Sequence, residues 1–80
     1  MDKFWKQVMP ACISEFEWGK DLMSLDLEQE GKALKKVFQK MGETEFNVFL
    51  AKMVIKASSA GYQGIELTEK VTLFKSLKQG

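Results

Sequence analysis

The chain has 80 residues, 45% of them hydrophobic and 29% charged, with a formal net charge of +1; that is one small globular domain, with no room for a second. It contains one cysteine, one proline, no histidine and no arginine. These absences exclude a disulfide framework, a Cys/His zinc site, histidine-based catalysis and the arginine fork that best reads guanine edges. No cofactor or metal is implied.

The near-neutral total hides a split. Residues 1–31 hold three lysines and seven acids, and residues 32–80 hold nine lysines and four acids. The start, Met1 to Lys6, lacks the apolar stretch and cleavage site of a signal peptide. The longest uncharged run, Ala57 to Ile65, is far too short to span a bilayer. A reduced, lone Cys12 fits the same picture, so the expected compartment is the cytoplasm, in a size class familiar among phage and mobile-element proteins.

In chain order, residues 2–9 predict a two-turn helix with Phe4, Trp5 and Val8 facing inward. Pro10 then opens a second helix, where its missing N–H costs nothing. This helix runs to about Met23, with Cys12, Phe16, Gly19 and Met23 on one face, and Ser24 and Leu25 form the corner after it. The next helix spans 26–41: Asp26 is an N-cap with Gln29 three residues on, and Leu27, Leu34, Val37, Phe38 and Met41 share one arc. Acids crowd its start and lysines its end, as the helix dipole favours, and Gly42 follows as a C′ residue.

Thr44 is expected to cap the central helix, which runs to about Ala60 with Gly61 as its stop. Its main apolar face is Phe46, Phe49, Leu50, Met53, Ala57 and Ala60. A smaller stripe, Val48, Ala51 and Ile55, runs opposite, and two apolar sides predict burial between neighbours. Gly61 to Gly64 reads as a turn. Thr68 then caps a last helix with Val71, Leu73, Phe74 and Leu77. The alternation of Ile65, Leu67, Val71 and Leu73 also suits a strand, but one strand has no partner. The expected fold is all-α, a four-to-five-helix bundle around the helix at 45–60.

Four constellations stand out as candidate sites. Asp26, Glu28, Glu30 and Gly31 match the opening of an EF-hand loop, but position 12 is Val37, so an acidic helix start is the better reading. Lys32, Lys36 and Lys40, with Lys35 beside them, form a ridge able to track phosphates; a solvated helix face is the plainer reading. A helix-turn-helix around Ala60–Gly64, with Lys70, Lys75 and Lys78 on its last helix, lacks outward residues that read base edges. Val48, Ala51 and Ile55 form a candidate homodimer seam if the bundle leaves them uncovered.

Trp18 is the most informative residue. On a continuous helix it points away from Cys12 and Phe16, towards Ser14, Glu15, Glu17 and Asp21. A tryptophan ringed by acids has the composition of a hot spot for a basic partner protein; alternatively the Phe4–Trp5 arm covers it. Catalysis has no cast, since Cys12 has no activating base and no carboxylate pair is nominated. The expected function is therefore non-catalytic: a small adaptor, immunity or inhibitor protein acting through an acidic, Trp-bearing face. Nucleic-acid regulation through the lysine ridge is the alternative.

Overall fold

The computed structural model describes residues 3–23, 26 and 29–79. A π-helical turn, Phe4–Val8, leads into α1 (Met9–Ile13), followed by α2 (Glu17–Lys20), α3 (Gly31–Lys40), α4 (Glu43–Ser59) and α5 (Gly64–Gln79). No strand occurs among the described residues, so the alternation after Ile65 belongs to a helix. The fold is the expected small all-α bundle, and α4 is its centre: α1, α5 and the π-helical turn all pack on it.

The core is aromatic. Phe4, Phe38, Phe49 and Phe74 are fully buried, one from each end of the chain and one each from α3 and α4. Phe49 lies 5.2 Å from Phe38 and 5.8 Å from Phe74, centroid to centroid, and Phe74 lies 6.0 Å from Phe4. These spacings are those of favourable tilted ring pairs. Phe46, Phe49, Leu50, Met53 and Ala57 form the inner face of α4 as expected.

The N-terminal half departs from expectation in two places. Pro10 does sit in the first turn of α1, yet the preceding turn continues into it without a break. The Met9 N–H instead reaches back five residues to the Phe4 carbonyl. Pro10 has no N–H for the Lys6 carbonyl and its ring crowds that group, so the turn just upstream widens.

The predicted single helix to Met23 is broken at Ser14–Phe16, where Phe16 is extended (φ −114°, ψ 145°). On one continuous helix Phe16 and Trp18 would point to opposite sides. The break brings both rings onto Phe49, each 5.8 Å from it. It also lets α2 fold back until Gly19 touches Ile13, where a β-carbon would lie 1.8 Å from the Ile13 carbonyl oxygen. The break reverses the roles of two neighbours: Leu22 is buried, and Met23, expected inside, is 47% exposed.

The helix ends also differ from expectation. The Asp26 side chain does accept the Gln29 N–H, at 3.4 Å, and its carbonyl accepts the Glu30 N–H, but α3 starts only at Gly31. Leu27, Glu28 and the Ser24–Leu25 corner lie outside the described residues. Gly42 is not a left-handed C′ residue (φ −66°, ψ 157°); it is the N-cap of α4, and Thr44 lies inside the first turn. The end of α3 is closed from α5, where the Lys78 ammonium donates to the carbonyls of Phe38 at 3.0 Å and Met41 at 2.6 Å. A charged donor here satisfies the Met41 carbonyl and adds a second bond to the Phe38 carbonyl, which the Met41 N–H also reaches at 3.3 Å.

The stop after α4 is as expected. Gly61 has φ +99°, its N–H bonds the Ser58 carbonyl, and the Tyr62 N–H bonds the Ala57 carbonyl. These are the two bonds of a Schellman motif, which needs a left-handed residue at Gly61. Helix α5 starts at Gly64, five residues before the start expected from a Thr68 cap, and the Thr68 hydroxyl bonds back to the Gly64 carbonyl instead of capping.

Candidate functional site

Trp18 is half-buried, and what covers it is α4 and Phe16, not the Phe4–Trp5 arm. Its ring stacks on Phe16 at 5.1 Å, and its indole N–H donates to the Glu45 carboxylate at 3.3 Å. A buried indole finds an acceptor for its N–H, and the exposed Glu45 supplies one. The remaining edge of Trp18 lines a shallow groove of about 230 Å³ with Val37, Lys40, Met41, Gly42 and Glu45. The groove therefore has an apolar floor and one charge of each sign at its rim. Glu45, Val37 and Met41 were not foreseen there, because Glu45 is 27 residues from Trp18 and only the chain break brings them together.

The acids around Trp18 divide into two groups. Glu15 is held by Lys52 and Lys56, both at 3.5 Å. It ties the α1–α2 connection to α4 and leaves the acidic face. Glu17 and Asp21 are exposed; Glu17 makes a 3.2 Å pair with Lys20 in open solvent, which neutralises it weakly. Ser14 is exposed and donates its hydroxyl to the Ala11 carbonyl.

Lys32, Lys36 and Lys40 lie exposed along α3, with Lys35 half-buried beside them. No carboxylate among the described residues pairs with any of the four. The lysines of α5 are mostly committed within the fold. Lys70 sits over the Phe4 ring at 4.8 Å and near Trp5, and Lys78 closes α3, leaving Lys75 exposed. This commitment removes most of the charge a helix-turn-helix reader would use.

The Val48, Ala51 and Ile55 stripe is not covered by a neighbouring helix, contrary to expectation; Val48 is 44% and Ile55 66% exposed. Helices α1 and α5 both pack on the opposite, aromatic face of α4, so the second stripe is left outward. A second uncovered surface is the outer side of α5, where Ile65 is 79% exposed beside Thr68, Thr72 and Leu73.

Cys12 is fully buried, and its thiol faces the Phe49 carbonyl at 3.9 Å. Burial, with the nearby Glu15 charge adding to it, pushes the thiol up to about 12. At neutral pH it is protonated, the unreactive form. Val37, at the position where an EF-hand would need its bidentate glutamate, packs against the core in α3. Among the described residues no cluster of acids or cysteine is arranged to hold a metal, and no helix is long and apolar enough to cross a membrane.

Comparison with known protein families, curated proteins and solved structures gives no match to this chain.

Proposed function

We propose that the protein is a non-catalytic interaction module that engages a basic partner protein at Trp18 and the carboxylates beside it. The observation that carries this reading is the Trp18 groove. One edge of a large aromatic is left open over an apolar floor of Val37 and Met41, while Glu45 fixes the ring. A rigid, partly desolvated aromatic in a concave setting is the common anchor of protein interfaces. The exposed Glu17 and Asp21 on the same short helix and its cap supply attraction for a positively charged partner. The thiol of Cys12 is buried and protonated, which favours a binding role over a chemical one for it.

The test is affinity capture from native lysate at low and high salt, with wild type, Trp18→Ala/Glu17→Lys, and Glu17→Lys/Asp21→Lys. The second variant changes only exposed side chains, so it keeps the fold. The expected result is one protein retained in stoichiometric amount by the wild type, surviving high salt and lost from both variants. Retention by both variants would sink the Trp18 reading.

A second reading rests on the ridge of Lys32, Lys36 and Lys40, which no carboxylate among the described residues pairs with. It makes the protein a nucleic-acid-binding regulator that contacts phosphates. Nucleic acid captured by the wild type and both variants, and lost as salt rises, would favour it. Each phosphate contact adds about 0.7–0.9 to the slope of log affinity against log salt.

A further inference from the structure

The outer face of α4 carries a pattern that reads the same in both directions. From Thr44 to Ser59 it presents Thr44, Val48, Ala51, Ile55 and Ser59, all exposed and none charged. The pairs Thr44/Ser59 and Val48/Ile55 have the same midpoint, between Ala51 and Lys52, with the small Ala51 beside it. On one flank of this stripe lie Glu45, Lys52 and Lys56, and Glu15 of the same chain pairs with both lysines. Glu45 and Lys56 are eleven residues apart, or three turns to within about 20°, so they share that flank. Their midpoint falls between Leu50 and Ala51, one residue from the centre of the stripe, an offset of roughly 1.5 Å along the axis.

Two helices related by a twofold axis perpendicular to their length run antiparallel and keep each flank on the same side. Laid on a second copy of itself in this way, α4 sets Val48 against Ile55 and Ile55 against Val48. Ala51 meets its own counterpart at the crossing, where a small side chain permits close approach. In the same register Glu45 of each copy comes within two residues, about 3 Å along the axis, of Lys56 of the other, inside the reach of these long side chains. Lys52 comes beside its own counterpart with its charge held by Glu15 of its own copy. The apolar centre and the Glu45/Lys56 flank thus favour registers within two residues of each other, close to the self-complementarity that a twofold interface requires.

The charges are already oriented. Glu45 is held by the Trp18 indole and Lys56 by Glu15, and both have hydrogen-bonding capacity left. We propose that the chain forms a homodimer through antiparallel packing of α4 on α4, with Val48, Ala51 and Ile55 as the seam and two symmetric Glu45–Lys56 pairs beside it. A single helix-on-helix seam lies at the small end of interface sizes, so the affinity belongs in the micromolar-to-millimolar range. The seam shares Glu45 with the rim of the Trp18 groove, but Val48, Ala51 and Ile55 lie outside that groove, and the proposal does not depend on its function.

The test is sedimentation velocity from about 10 μM to 1 mM, together with cysteine pairing under mild oxidation. The expected result is reversible dimerisation, weakened at least about tenfold by Ile55→Lys, as for loss of a central interface residue. Far-UV circular dichroism checks that this exposed substitution leaves the helices intact. Ala51→Cys should cross-link with itself. Thr44→Cys and Ser59→Cys should cross-link when mixed and not when oxidised separately; buried Cys12 does not compete. Monomer at every concentration overturns the proposal. So does a dimer indifferent to Ile55→Lys, which would move the interface elsewhere, for example to the Ile65 face of α5. Self-linking of Thr44→Cys would make the pairing parallel and overturn the register.

Discussion

Cys12 illustrates how burial decides the chemistry of a side chain. The thiol is fully buried, faces the Phe49 carbonyl and has the Glu15 carboxylate nearby, so the folded protein disfavours the thiolate. Its folded pKa of about 12 stands above the ordinary 9.0. Below about pH 9 the thiol is protonated in both states and its contribution to stability is complete. As pH rises further, the unfolded chain ionises first and the folded state loses ground, by up to about 1.4 kcal/mol per pH unit from this group. Unfolding by urea at pH 8 and pH 10.5 should therefore show wild type losing more stability than Cys12→Ala. Parallel losses would mean that the site is wetter than the structure has it. Trp18 makes the complementary point about legibility. Its oddity was visible in the sequence as an aromatic among acids, but its neighbours were not, because Phe16 and Glu45 reach it only through the break at Ser14–Phe16.

At the scale of elements, periodicity located the helices, while their ends followed long-range contacts. The inner faces of α3 and α4 were readable because Leu34, Phe38, Phe46, Phe49, Leu50 and Met53 recur at helical spacing. Gly61 was readable because its role is local: a left-handed residue closing a Schellman motif. Gly42 does not take the expected C′ role because Lys78, 37 residues beyond Met41, closes α3 in its place.

The two glycines Gly19 and Gly31 separate these influences. A methyl group at Gly19 would collide with the Ile13 backbone, whereas at Gly31 it would meet nothing within 4 Å. Gly19→Ala should force α2 off α1 and cost about 2 kcal/mol or more, in the range of overpacked cores. Gly31→Ala, in a helical turn that tolerates a side chain, should add about 0.5–1 kcal/mol. Chemical denaturation of the two variants should give opposite signs. Destabilisation by Gly31→Ala would mean that α3 does not begin where the structure has it.

For the molecule as a whole, the core connects the two ends of the chain. A radius of gyration of 11.6 Å is that of a compactly folded chain of this length. Phe74 is the one fully buried residue of α5 among those described, and it touches Phe4 and Trp5 from the N-terminal turn, Phe38 from α3 and Phe49 from α4. The fold class followed from composition and periodicity, but this convergence did not. In the sequence Phe74 is one of several apolar residues on a stretch that also alternates like a strand. Small domains have limited stability, commonly about 5–15 kcal/mol, and removing a buried phenylalanine costs about 3–5 kcal/mol. Phe74→Ala should therefore lower the melting temperature by roughly 12–40 °C for a chain of this size. Because Phe74 joins four elements, the loss should affect the whole domain, with far-UV and near-UV circular dichroism still melting together. Ile65→Ala, on the exposed side of the same helix, should shift the midpoint by no more than roughly 4 °C. If Phe74→Ala instead melts in two steps, with α5 leaving first, the terminal helix is an appendage and the aromatic core does not hold the chain together as one unit.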